Sequence, residues 1–133
     1  MDISKIGTLR FIPEFNGNRR ESVPLVVKYK SIRREWRVRL VEASEEAEQI
    51  RRESEAEGAD KSEAADKMLR LDESLSADLL ASHITGVEGL TDGGRPVDRD
   101  GLIALLNDVP PLAQEVFEAI VTGNQYTEED AKN

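Results

Sequence analysis

Apolar and polar positions divide the chain into an alternating N-terminal part and a helical remainder. From Thr8 to Phe15, Leu9, Phe11, Pro13 and Phe15 share one parity, while Thr8, Arg10, Ile12 and Glu14 take the other. This period of two predicts a strand. Pro13 cannot donate to a ladder, so the strand belongs at a sheet edge or breaks near its end. Asn16-Gly17-Asn18 is a turn signal, because both residue types tolerate positive φ. From Val23 to Ile32, Leu25, Val27 and Tyr29 fall on one face, with Lys28 and Lys30 on the other. The simplest account is a β-hairpin with a loop of about six residues. Two strands alone are barely stable in water, so the hairpin has to pack on the helices or pair with another chain.

Beyond Ile32 the period becomes helical. Trp36, Leu40, Ala43, Ala47 and Ile50 recur every three or four residues up to Glu57, forming a narrow stripe. Arg33, Arg34, Arg37 and Arg39 crowd its start, where the positive end of the macrodipole disfavours cations. An acidic contact within the fold or from a partner would compensate; a solvated basic face is the plainer account. The charged segment 51–67, RRESEAEGADKSEAADK, holds alanine as its sole apolar residue type. Gly58 interrupts it, so two helices broken near Gly58 to Asp60 are expected, with Asp60 or Ser62 capping the second; one continuous helix is the alternative. Ala64, Ala65, Met68, Leu71, Leu75 and Leu79, joined by Leu80 and Ile84, then make a second apolar stripe.

Gly86, Gly89, Gly93 and Gly94 punctuate a connector over 86–97. Asp98 is placed to cap a helix starting at Arg99, with Leu102, Leu105, Leu106 and Val109 on its buried face. Pro110 and Pro111 suit the first turn of another helix, where a missing N–H costs nothing. That helix carries Leu112, Val116 and Ile120 on one row and Ala113, Phe117 and Val121 on the next, before Gly123-Asn124 stops it. The tail either adds a turn from Thr127 or frays. The pattern as a whole predicts a mostly helical α+β fold. An N-terminal β-hairpin over 1–32 precedes the helical part of the same single domain, 33–133, a small bundle of two longer and two short helices.

Charge modifies this picture. The net is −9, yet residues 1–39 carry ten Lys/Arg against four acids (+6), and the remainder carries 8 against 23 (−15). Overall acidity argues against nucleic acid. The arginine-rich start with Trp36 is the one candidate for it, but eight glutamates over 35–57 would repel a phosphate backbone, and Trp36 lies on the apolar stripe. With no cysteine there is no disulfide, which fits a reducing compartment. The opening MDISKIGTLRF has no apolar leader, and no run of about 18 apolar residues occurs, so neither secretion nor a membrane span is expected. A soluble cytoplasmic protein is the expectation.

Reactive groupings are sparse. His83 has no second histidine or cysteine to build a transition-metal site, and a helix-surface or half-buried histidine explains it. Asp98-Arg99-Asp100-Gly101 has the look of the middle of a calcium loop, but Pro96 and Asn107 stand where ligands are required. No phosphate loop, nucleophile elbow or dinucleotide fingerprint is present, and no carboxylate pair stands out among 27 acids. Neither enzymatic activity nor a cofactor is expected.

Two segments resemble a known family. LRFIPEFNGNRRESVPLVVKYK resembles the "Phe/Tyr-x-Pro-acid-x-x-Gly-Asn-Arg" opening of small proteins from tailed-phage and prophage morphogenesis clusters. HITGVEGLTDGGRPVDRDGLIALLNDVPPLAQEVFEAIVTGN resembles the pattern of siphophage tail assembly chaperones, through Val87, Gly89, Leu90, Asp92, Gly93, Pro96, Val97, Leu102, Leu105, Leu106, Pro110 and Ala119. The sequence departs from that pattern in its charged middle, Glu42 to Lys67, and in glycine-leucine where tryptophan is common. The resemblance implies a non-enzymatic protein of the host cytoplasm. It would bind the tape measure protein and tail tube protein during tail morphogenesis and be absent from the finished tail; homo-oligomer formation is compatible with it. A small head or tail connector protein that stays in the virion is the alternative. Leu102, Leu106, Phe117 and Val121 are the first candidates for the partner-binding surface if their wide apolar face is exposed. If it is buried, Arg33 and Arg37 and the hairpin take their place.

Overall fold

The computed structural model describes residues 7–131; Lys5 of the basic N-terminal third and the terminal Lys132 and Asn133 lie outside them. The fold is α+β and mostly helical. It divides into two compact units, one made of Met1–Ile32 with Leu80–Asn133, the other of Arg33–Leu79.

The first unit is built on an antiparallel sheet of β1 (Thr8–Phe11), β2 (Val26–Lys30) and β3 (Ile84–Glu88), with β2 in the centre. The register sets Leu9 and Ile84 on either side of Tyr29, and Phe11 and Val87 on either side of Val27. These form the core face that the N-terminal alternation predicts. Arg10, Lys28 and Glu88 occupy the opposite face, where Arg10 and Lys28 both pair with Glu88, at 2.6 and 2.9 Å. β3 is an addition to the expected hairpin. Its five residues, ITGVE, hold three β-branched side chains but are interrupted by Gly86 and follow directly on a helical stripe; pairing with β2 decides their conformation. Ile84, expected to end a helical stripe, is instead the first residue of this strand and buried.

The link between β1 and β2 is longer than a six-residue loop. The first strand stops at Phe11, and residues 12–25 contain a 3-10 segment, Phe15–Arg20, in which Asn16 and Gly17 adopt left-handed φ of 54° and 73°. After β3 comes a short ribbon of β4 (Thr91–Asp92) and β5 (Arg95–Pro96). Then follow α3 (Arg99–Asp108), α4 (Pro110–Thr122) and a final turn, α5 (Glu128–Ala131). The helix signals hold. The Asp98 carboxylate accepts from the Gly101 N–H at 2.9 Å, prolines open α4, and Gly123 closes it at a φ of 72°. Arg99 donates to the Ile84 carbonyl at 2.6 Å and to the Ala81 carbonyl, neutralising the end of the preceding helix. Leu112, Val116, Ala119 and Ile120 of α4 and Leu102 and Leu106 of α3 complete the core with Val27, Tyr29 and Ile84. The Tyr29 hydroxyl reaches the tail of α4, donating to the Asn124 carbonyl at 2.6 Å with the Ala119 carbonyl 3.3 Å away.

The second unit is an antiparallel helical pair. It comprises α1 (Arg34–Glu55) and the larger part of α2 (Lys61–His83), whose last residues from Leu80 belong to the first unit. The break falls where Gly58 predicts it, at a φ of 79°, and Asp60 caps α2 by accepting from the Ser62 and Glu63 N–H groups at 2.9 and 3.1 Å. Trp36, Leu40, Ala43, Ala47 and Ile50 turn inward, as do Ala64, Met68, Leu71 and Leu75. Arg39 near the start of α1 pairs with Asp78 late in α2 at 2.6 Å. Between them, Ile50 lies against Ala64 and Lys67 around one depression, and Ala43 against Leu71 and Leu75 around another. In the alanine-rich stretch, pairs such as Arg51–Glu55, Lys67–Glu63 and Arg70–Asp66 at four-residue spacing support the helices.

Two outcomes follow from these contacts. Gly89 has a φ of 72°, and a Cβ there would lie 2.0 Å from the Pro24 carbonyl oxygen, whereas the space beside Gly94 is open. Gly94→Ala therefore carries the positive-φ cost of about 1–2 kcal/mol alone, and Gly89→Ala should lower the thermal midpoint distinctly further in calorimetry. Burial pushes the Tyr29 phenol from 10 up to about 12. Its neutral form is favoured by folding, so the contribution is complete below pH 10 and lost as pH rises towards 12. A tyrosinate absorbance titration should show one late step that Tyr29→Phe removes.

Candidate functional site

The most constructed surface of the first unit surrounds the loop between β1 and β2. Gly17 supplies the left-handed turn after Asn16. The buried Asn18 side chain acts as a backbone mimic, donating to the Pro13 and Leu25 carbonyls at 2.8 and 3.0 Å and accepting from the Leu25 N–H at 2.8 Å. Arg19 donates to the Ile12 carbonyl at 2.9 Å and lies 3.6 Å from the Tyr126 ring centre. Each residue of the Gly17-Asn18-Arg19 triplet thus has a structural task in holding one loop. Glu115 of α4 completes it, accepting from the backbone N–H groups of Glu14 and Phe15 at 2.6 and 3.0 Å.

This bracing presents Phe15, 38% exposed, at the lip of a cleft of mixed lining. Pro13, Leu25, Leu90, Leu105 and Leu112 line it, with Asn16, Glu21 and Thr91 among its polar lining residues. Its volume of about 240 Å³ falls below the roughly 300–1,000 Å³ of pockets for drug-sized ligands. One large apolar side chain from another protein fits that size better than a cofactor does. The Asn18 polar atoms that border the cleft are already satisfied by the loop, which leaves Asn16, Glu21 and Thr91 as its polar contacts beside the apolar ones.

The residues singled out from sequence divide between the two units. Leu102 and Leu106 are buried in the core and cannot meet a partner while the fold is intact. Their apolarity marks packing, which corrects their candidacy as contact residues. Phe117 and Val121, on the second row of α4, are half-buried. Arg33 and Arg37 are exposed at the start of α1 in the other unit. Of the four arginines there, Arg39 alone is ion-paired among the described residues, and its guanidinium also stacks 4.4 Å from the Trp36 ring centre. Phe15, Leu90 and Glu115 were not anticipated. The parity of the first strand placed Phe15 inside a ladder, and contacts between the loop and α4 join positions about a hundred residues apart.

His83, expected on the helix surface or half-buried, is fully buried. Among the described residues no group of three or more His, Cys, Asp or Glu could hold a metal ion. No helix there is long and apolar enough to cross a membrane. No protein-family model, curated protein or solved structure matches the chain.

On the charged side of the sheet, Arg10 bridges Glu88 and Glu128, tying α5 to β1 and β3. Arg10 above all, and then Lys28, hold the Glu88 carboxyl at about 2, below its ordinary 4.5. A lowered carboxylate pKa contributes stability that is complete above 4.5 and lost as pH falls towards 2. Because the side chain is 45% exposed, the contribution at neutral pH is at most about 1 kcal/mol. Glu88→Gln should lower stability by no more than that in urea titrations, with the difference shrinking in high salt and vanishing as pH approaches 2.

Proposed function

We propose that the chain is a tail assembly chaperone of tailed phage, binding tape measure and tail tube proteins non-covalently in the host cytoplasm and catalysing no reaction. One observation carries the reading. The two segments that resemble this family are separated by the whole charged middle, yet both belong to the same compact unit. The first forms β1, the braced loop and β2; the second forms β3, α3 and α4. The departures from the family pattern between Glu42 and Lys67 fall in the other unit. The cleft at Phe15 supplies a physical means, since an apolar side chain from a partner's amphipathic helix can enter it while the acidic surface keeps the complex in solution.

Co-expression with a tape measure protein from the same gene cluster tests this. The long partner should become soluble and co-purify, and Phe15→Asp combined with Leu90→Asp should reduce co-purification by about tenfold or more while leaving the helical circular dichroism intact. A partner that stays insoluble with nothing bound would reject the proposal. A stoichiometric band for this chain in purified virions would favour the connector protein instead.

A further inference from the structure

Opposite its inward stripe, α1 carries Arg34, Val38, Val41 and Glu45 at intervals of four, three and four residues, which places all four on one stripe of the helix. All are exposed, and Val38 and Val41, at 50% and 58%, are two of the five large apolar side chains exposed among the described residues. The order along the stripe is base, valine, valine, acid. Read backwards it is acid, valine, valine, base, so the stripe is complementary to an antiparallel copy of itself.

We infer that this face of α1 is an interface between two copies of the chain, related by a two-fold axis that crosses the helix between Arg39 and Leu40. About that axis Val38 of one copy packs on Val41 of the other, and Arg34 on Glu45, each contact occurring twice, as an isologous interface requires. The start of the helix supplies a second reason. Arg33 at the N-cap position makes no side-chain capping bond, Arg34 is not ion-paired among the described residues, and Glu35 is the one acid in the first turn, so two cations against one carboxylate sit at the positive end of the dipole. A carboxylate brought by the second copy removes that penalty. Four valines and two ion pairs make a small interface, of the weak and reversible class. The inference does not depend on the proposed function.

Sedimentation of the full chain tests it, with loading raised to about 1 mM to reach the affinity expected of so small a contact. The wild type should show a reversible monomer–dimer equilibrium. Arg34→Glu and Glu45→Arg, each placing like charges face to face, should each weaken it by about tenfold. Association should return in the double variant R34E/E45R. It should also return when the two single variants are mixed, because the glutamate introduced in one then meets the arginine introduced in the other, and the second contact keeps its wild-type pair. All four sites are exposed, and circular dichroism confirms that each variant is folded. A wild type that stays monomeric at the highest loading overturns the inference. So does a dimer whose affinity ignores the charge reversals, or one that the mixture fails to restore.

Discussion

Everything in the first unit depends on β2 being paired on both edges. Residues 26–30 meet β1 on one side and, on the other, residues 84–88 from beyond the helical pair. A β1–β2 hairpin alone would be marginal in water. The third strand brings Ile84 and Val87 against Tyr29 and Val27, and delivers Gly89 to the Pro24 carbonyl at a distance that no side chain tolerates. The helical pair is therefore an insertion in the chain between adjacent strands. Such an insertion is thermodynamically cheap, because closure entropy grows only with the logarithm of the length spanned.

The same constraint explains what was legible in the sequence. Helices and their ends were readable, since their signals are local. The Asp98 and Asp60 caps, the prolines opening α4 and the glycines at 58 and 123 act within four residues of where they stand. The face carried by Leu9, Phe11, Val27 and Tyr29 was readable from parity. Strand β3 was not, because ITGVE becomes a strand through a partner more than fifty residues away. The site was less legible still. Leu102 and Leu106 attracted attention by being apolar, which marks a core before it marks a surface, whereas Phe15 is exposed only because Asn16 and Gly17 turn left-handed and Glu115 anchors the loop from α4. Proximity of that kind has no sequence period.

The two units divide the chemistry. The first concentrates fixed geometry, with buried Tyr29 and His83, the braced Gly17-Asn18-Arg19 loop and a cleft sized for one side chain. The second keeps a narrow apolar seam and spends most of its surface on charge, held by ion pairs one helical turn apart.

Under the proposed function, a partner meets this chain at the braced loop of the first unit. Hydrogen exchange measured by mass spectrometry on the full chain, free and mixed with the tape measure protein that the proposal names, tests this most directly. Binding should slow exchange in peptides covering Glu14 to Glu21 and Gly89 to Asp92, with Val26 to Lys30 protected in both states. Slowing confined to the α1–α2 pair, with the loop exchanging at the same rate free and bound, would contradict it.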